Sequence, residues 1–187
     1  MKRLLVGIPV LAALALPGAV QADAKTDKTN AAQECRTERG TTAATREAFR
    51  VRYGTNASGK NAFGKCVSKR ANAEERQNAA AGVNGAKECK AERTALGEAA
   101  FAAKYGTGKK GKNAYGKCVS QKAKAKKDAA DAADAKAIAV RKSAAKSCAT
   151  ERKAGPDAFK AKYGTNANKS NAFGKCVSAG ARQNAKS

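Results

Sequence analysis

One cysteine-bearing phrase is written three times in this chain, and that repetition limits what it can fold into more than any other feature. NAFGKCVS stands at Asn61–Ser68 and again at Asn171–Ser178, and NAYGKCVS stands at Asn113–Ser120. Aligned on this word, copy one runs Cys35–Ser68, copy two Cys89–Ser120 and copy three Cys148–Ser178. Each copy opens on Cys-x-x-Glu-Arg, with Glu38/Arg39, Glu92/Arg93 and Glu151/Arg152. An Ala-Phe pair follows at Phe49, Phe101 and Phe159, and four residues on come Tyr53, Tyr105 and Tyr163, each leading a Tyr-Gly-Thr. Phe63, Tyr115 and Phe173 supply the aromatic of the closing word, so every aromatic residue and every cysteine lies inside a copy. Self-similarity at this scale marks one supersecondary unit used repeatedly.

The grammar inside a unit is helical. Phe and Tyr four apart share a helix face. Four residues before Phe stands Thr45, Gly97 or Gly155, each suited to an N-cap, and Pro156 suits a first helical position. Glu47, Glu98 and Asp157 then fall in the first turn, where the helix dipole favours a carboxylate. Gly54, Gly106 and Gly164 end this helix as C-terminal glycines do. Asn61, Asn113 and Asn171 read as N-caps of a further helix, whose aromatic, Cys and Val fall at i, i+3 and i+4 on one stripe. Each unit is expected to be a helix bearing the first Cys, a short helix bearing Phe and Tyr, and a third helix beginning at Asn.

Composition explains why such units need a staple. Of the 42% hydrophobic residues most are alanine, 46 in all, and beyond residue 24 the bulky aliphatics are Leu96, Ile138 and six valines. So little apolar area does not stabilise one large core. Several small cores, each with a covalent cross-link, suit the chain better. Six cysteines permit fifteen pairings, and one pair per copy gives Cys35–Cys66, Cys89–Cys118 and Cys148–Cys176 as the economical set. Each closes a loop of about 30 residues, worth roughly 3–4 kcal/mol in the chain-entropy model. Two cysteines per unit and no histidine make a poor zinc site.

The first residues read as an export leader. Lys2 and Arg3 precede an apolar run at Leu4–Leu16, and small residues follow at Val20–Ala22 and Ala22–Ala24. The run is short of the roughly 20 apolar residues a spanning helix needs. The chain is therefore divided into a signal peptide (1–24), repeat unit 1 (30–68), a linker (69–84), repeat unit 2 (85–120), a helical linker (121–143), repeat unit 3 (144–180) and a disordered tail (181–187). The second linker region, 121–147, has eleven alanines and no Gly or Pro, with Lys124/Asp128 and Lys127/Asp131 at i,i+4. It is expected to be one solvated helix from Ala114 to about Lys153 with nothing to pack into a core. Asn84-Gly85 marks a joint in the first linker. The fold class is all-α: three small disulfide-stapled helical repeat units joined by basic, alanine-rich helical linkers.

Charge and missing chemistry bound the function. The chain carries +23 at pH 7 and no histidine, and loss of the leader removes Lys2, Arg3 and Asp23. Ser-His-Asp and Cys-His constellations cannot be built. The recurring acids Glu38, Glu92 and Glu151 read as ion-pair partners rather than a hydrolytic pair, and no enzyme is expected. GTNASGKN (Gly54–Asn61) and GTGKKGKN (Gly106–Asn113) imitate a P-loop, yet no strand precedes them, Asn stands where a hydroxyl is needed, and GTNANKSN in copy three breaks the pattern. Without carboxylates these loops do not suit calcium. What remains is anion binding at a helix N-terminus, with Lys65, Lys117 and Lys175 one turn in and Lys60 or Lys112 before the cap. No metal or cofactor is implied.

The Cys-x-x-Glu-Arg, Lys/Arg-Tyr-Gly-Thr and Asn-Ala-Phe-Gly-Lys-Cys words resemble repeats in uncharacterised secreted bacterial proteins, which implies export and repetition and no functional residue. The Lys/Ala tracts resemble linker-histone-like bacterial tails. The expectation from charge is an exported, non-enzymatic protein that binds anionic polymers by multivalent electrostatics: an envelope polymer, acidic polysaccharide or extracellular nucleic acid. A DNA-compacting protein and a structural or stress-related envelope protein with no specific ligand are the alternatives.

Overall fold

The computed structural model describes residues 24–108 and 110–185. The leader assigned to residues 1–24 lies outside them but for Ala24, the first residue of a helix. Among the described residues the chain forms seven helices and no strand: α1 (Ala24–Arg39), α2 (Ala43–Tyr53), α3 (Ala62–Leu96), α4 (Glu98–Tyr105), α5 (Ala114–Ala154), α6 (Pro156–Tyr163) and α7 (Ala172–Asn184). The expected all-α class holds. Long and short helices alternate, and the short ones, α2, α4 and α6, are those carrying Phe and Tyr.

All three expected disulfides are formed, Cys35–Cys66, Cys89–Cys118 and Cys148–Cys176. Around each lies a small core. Phe49, Tyr53 and Ala62 pack on the first bridge, with Phe63 and Val67 half-buried beside them. Phe101, Tyr105, Ala114 and Val119 pack on the second, with Tyr115 alongside. Phe159, Ala172, Phe173 and Val177 pack on the third, with Tyr163 half-buried at its edge. In each unit the Phe and Tyr rings of the short helix lie 4.9 Å apart.

The units are not beads on linkers. Helix α3 carries Cys66 of unit 1 and Cys89 of unit 2, and α5 carries Cys118 of unit 2 and Cys148 of unit 3. Residues 69–84, expected as a linker, are helical throughout and cross the Asn84-Gly85 joint without a break. Gly85 is buried, and a Cβ there would lie 3.2 Å from the Val119 carbonyl oxygen. Its smallness lets α3 and α5 approach closely, which is the reason for glycine inside this helix.

Helix α5 has the length expected, 41 residues or about 60 Å, but it is not a solvated spacer. Ile138, Ala123, Ala144 and Ala145 are buried on it. Small alanines that offer little apolar area allow helices to sit close, and α5 accordingly packs against each of the other helices. Of the expected pairs, Lys124–Asp128 (2.6 Å) lies on its exposed side and Lys127–Asp131 (2.8 Å) faces Glu74 of α3. The tail assigned to 181–187 is helical as far as Asn184, and residues 186–187 lie outside the described residues.

Candidate functional site

The repeated words have structural work in every unit, and the remainder after that work defines the candidate site. The Glu of Cys-x-x-Glu-Arg accepts a hydrogen bond from the Tyr hydroxyl: Tyr53 to Glu38 at 2.9 Å, Tyr105 to Glu92 at 2.8 Å and Tyr163 to Glu151 at 3.0 Å. The basic residue before each Tyr closes on the same carboxylate, through Arg52 (3.4 Å), Lys104 (2.6 Å) and Lys162 (2.8 Å). The neighbouring Arg covers the aromatic of the closing word, Arg39 over Phe63, Arg93 over Tyr115 and Arg152 over Phe173, at 5.4, 5.3 and 4.4 Å from the ring centroid. This is cation–π geometry. The reading of Glu38, Glu92 and Glu151 as ion-pair partners fits these contacts.

The asparagines do something else than expected. Asn61, Asn113 and Asn171 precede their helices but make no side-chain cap. Each reaches back across the loop instead. The side-chain oxygen accepts from the backbone N–H of Thr55, Thr107 or Thr165, and the amide donates to that Thr hydroxyl at 2.7 Å. A seven-residue polar loop is thereby closed by its own ends. The glycine before each Thr has extended backbone, with φ of −69°, −75° and −74° at Gly54, Gly106 and Gly164. Glycine is required there for space, since a Cβ on Gly54 would meet the Arg50 carbonyl oxygen at 2.6 Å and Gly59 Cα at 2.8 Å.

Thr45 also departs from expectation. The N-cap of α2 is Thr42, whose hydroxyl accepts from the Thr45 N–H at 3.2 Å, and Thr45 is buried within the helix. Gly97 and Gly155 do stand at the N-caps of α4 and α6. The earlier start of α2 moves Glu47 out of the first turn, where it pairs with Arg152 of unit 3 at 2.6 Å. Glu98 and Asp157 keep their first-turn positions.

Lys65, Lys117 and Lys175 are left. All three are exposed one turn into α3, α5 and α7, as are Lys60 and Lys112 before the caps, and no carboxylate pairs with them among the described residues. None of these helices carries an acid in its first turn. The candidate anion sites are therefore three similar loop mouths on three separate helix starts. Several lysines of α5 are by contrast already committed: Lys122 to Glu92 (3.0 Å), Lys126 to Glu88 (2.7 Å) and Lys124 to Asp128.

Two features were not anticipated. Glu38 lies at a buried charge junction where Arg70 (2.7 Å) and Arg141 (3.0 Å) also converge, and Arg70 bonds Glu34 as well. Burial pushes the Glu38 carboxyl up, but its bonds to Arg70, Arg141 and Tyr53 outweigh that and hold it below the usual carboxylate range. Unit 2 repeats the theme with Lys122 between Glu88 and Glu92. These residues sit at fixed offsets, one acid before the first Cys and one base four after the second, so the signal was present in the sequence. Unit 3 has Ser147 and Gly180 at those offsets. The second feature is a groove of about 910 Å³ between α2, α5 and α7, beside Gly180. It joins residues of units 1 and 3 that no motif connects.

Comparison with known proteins finds no matching family model, no matching curated protein and no matching solved structure. Among the described residues no helix is long and apolar enough to cross a membrane, and the three disulfides are of a kind that persists in oxidising compartments.

Proposed function

We propose that this is an exported, non-enzymatic cationic protein that attaches to anionic polymers of the cell envelope or its surroundings through many weak contacts. The observation that carries the reading is the division of labour among its charges. Glu38, Glu92, Glu151, Glu47, Glu88 and Asp131 are each spent on the protein's own cations, whereas the lysines at the three loop mouths face solvent without a carboxylate. Of the +22 that remains once Lys2, Arg3 and Asp23 leave with the leader, part is thus presented outward in three similar places along one helical frame. Uncapped first-turn amides beside a lysine suit a phosphate, sulfate or carboxylate group. Each contact alone is weak, and three held in one frame raise the effective concentration at the next. Export is supported by the leader-like first residues and the disulfides, and it favours an extracellular polymer over compacted DNA.

The test is binding of the oxidised protein to heparin, polyphosphate and duplex DNA over a range of salt. Counterion release predicts that log affinity falls linearly with log salt, with a slope near −0.9 per phosphate neutralised on duplex DNA. Changing Lys65, Lys117 and Lys175 to Gln is expected to weaken binding more than changing Lys90, Lys146 and Lys153, which are equally exposed helix lysines away from the loop mouths. Equal losses reduce the sites to a diffuse positive surface. Absence of binding at low salt, or affinity indifferent to salt, overturns the function.

A further inference from the structure

The groove between α2, α5 and α7 has a composition at odds with the rest of the surface. Its volume of about 910 Å³ falls in the range of small-molecule sites, roughly 300–1,000 Å³. Phe49 and Ala145 lie in its floor, and Val51, Val140, Val177 and Ala181 line its walls. Three of the six valines beyond the leader therefore face one trough. Val51 is 51% exposed there, a costly placement in a chain so poor in bulky apolar residues.

The trough is a departure from the repeat. The positions equivalent to Val51 are Ala103 and Ala161. The base that bridges two acids in units 1 and 2 is replaced in unit 3 by Gly180, where a Cβ would stand 3.2 Å from Ala144 Cβ. Among the described residues no ion pair closes over α5 and α7 at that point, and the trough stays open beside them.

Cations stand on both walls. Lys136, Arg141 and Lys142 come from α5, Lys175 and Arg182 from α7, and Arg52 from α2. Among the described residues the one acid in the lining is Glu38, and it is held by Arg70, Arg141, Arg52 and Tyr53. That leaves Lys136, Lys142, Lys175 and Arg182 without a carboxylate among the described residues. Neutral apolar guests gain nothing from such a rim, and polyanions gain nothing from such a floor. The pairing suits a molecule with one apolar chain and one anionic head.

We propose that this groove binds an anionic single-chain amphiphile, such as a medium- or long-chain carboxylate, with its chain between the Val51, Val140 and Val177 walls and its head group on the rim cations. The wall of α5 from Ala133 to Ala145 is about 18 Å long, enough for an extended acyl chain. A volume in the small-molecule range and walls of Ala and Val favour an acyl chain over a partner helix, whose diameter with side chains is about 10–12 Å. The site is separate from the α3 and α5 loop mouths and takes in both candidate residues of the α7 mouth, Asn171 and Lys175.

The experiment is calorimetric titration of the full, oxidised protein with laurate below its micellar concentration, beside decanoate and dodecanol. Saturable binding of one laurate per chain is expected. Decanoate, two methylenes shorter, should bind about fifteenfold more weakly, since each buried methylene is worth about fourfold, and dodecanol should be weaker than laurate by about tenfold. Ala137→Phe, which fills the trough from α5, and Ala181→Phe, which fills it from α7, should each reduce laurate affinity by about tenfold or more while largely sparing heparin binding, since the α3 and α5 loop mouths lie outside the groove. Lys136→Gln with Lys142→Gln should weaken laurate and leave dodecanol alone. Laurate that does not bind, binds in many unsaturable equivalents, binds no better than dodecanol, or ignores both plugging variants overturns the proposal. So does an acidic amphipathic peptide that binds in a plug-sensitive way where laurate fails, which would assign the groove to a protein helix. Loss of heparin binding with laurate binding intact would sink the polymer reading and spare this one.

Discussion

Arg152 of the third unit grips Glu47 of the first with both terminal guanidinium nitrogens, at 2.6 and 2.7 Å, across 105 residues of sequence. The same guanidinium lies over the Phe173 ring at 4.4 Å. One side chain thus completes the core of its own unit and fastens that unit to another.

Glu47→Gln keeps the shape of the acid and removes its charge, leaving the Arg152–Phe173 contact in place. Both partners are about one third exposed, so the pair is screened and the expected loss is modest, about 0.5–1 kcal/mol. Chemical denaturation of the oxidised variant checks this. Amide exchange should quicken where α2 faces α7 and stay unchanged around Cys89–Cys118.

Glu74 supplies a pH dependence. It is 5% exposed, neither carboxylate oxygen has a partner among the described residues, and Asp27 and Glu34 of α1 with Asp131 and Lys127 of α5 surround it. Burial, reinforced by Glu34 and Asp27, pushes its carboxyl up from 4.5 to about 7. The folded state therefore holds this proton where the unfolded chain has released it. Its contribution is fully present below about pH 4.5 and is lost as pH rises to about 7. Glu74→Gln cannot ionise, so the stability of the native protein relative to the variant should fall across that interval. A difference that is flat with pH would refute the assignment.

The disulfides lead to a graded expectation. Sequence separations of 31, 29 and 28 residues make each bridge worth roughly 3–4 kcal/mol by loop entropy. Replacing Cys89 and Cys118 by Ser should cost about that much and expose Phe101, now 1% exposed. Thermal unfolding of the double variant measures the loss.

The glycine of the repeated word offers a test with opposite signs. A Cβ on Gly64 or Gly116 would meet nothing within 4 Å, whereas one on Gly174 would lie 2.6 Å from Val51 Cγ1. Gly64→Ala and Gly116→Ala should stabilise by about 0.5–1 kcal/mol through backbone entropy. Gly174→Ala should destabilise, and Val51→Ala should rescue it. Denaturation midpoints of the four proteins decide.

The sequence is most readable where the repeat constrains it. Cysteine pairing, the three-helix unit and the ion pairing of Glu38, Glu92 and Glu151 follow from spacing within one copy, whereas Arg70, Arg141 and Lys122, which also hold Glu38 and Glu92, lie beyond it. The role of Asn61 was misread because an Asn before a helix is ordinarily a cap, and nothing local shows that Thr55 competes for its side chain. The continuity of α3 through Gly85 was misread for a related reason. A glycine that admits a neighbouring helix looks, in one dimension, like one that breaks its own. The groove was invisible because Val51, Val140 and Gly180 lie in no common motif, and only packing brings them together. Among the candidate anion residues the structure keeps Lys65, Lys117 and Lys175 apart on three helix starts, and Lys175 alone also stands on the rim of the groove.

Helix α5 runs unbroken from the second bridge to the third, so the number of residues between Cys118 and Cys148 sets an angle as well as a distance. One residue inserted near Asp131 would turn everything beyond it by about 100° and advance it by about 1.5 Å. Seven residues would nearly restore the angle, to within about 20°, yet carry Arg152 roughly 10 Å past Glu47. Ordinary loops tolerate such changes readily. Here length variation between the second and third copies is penalised at every value, and the stretch with the plainest composition in the chain is the one whose residue count is least free to drift.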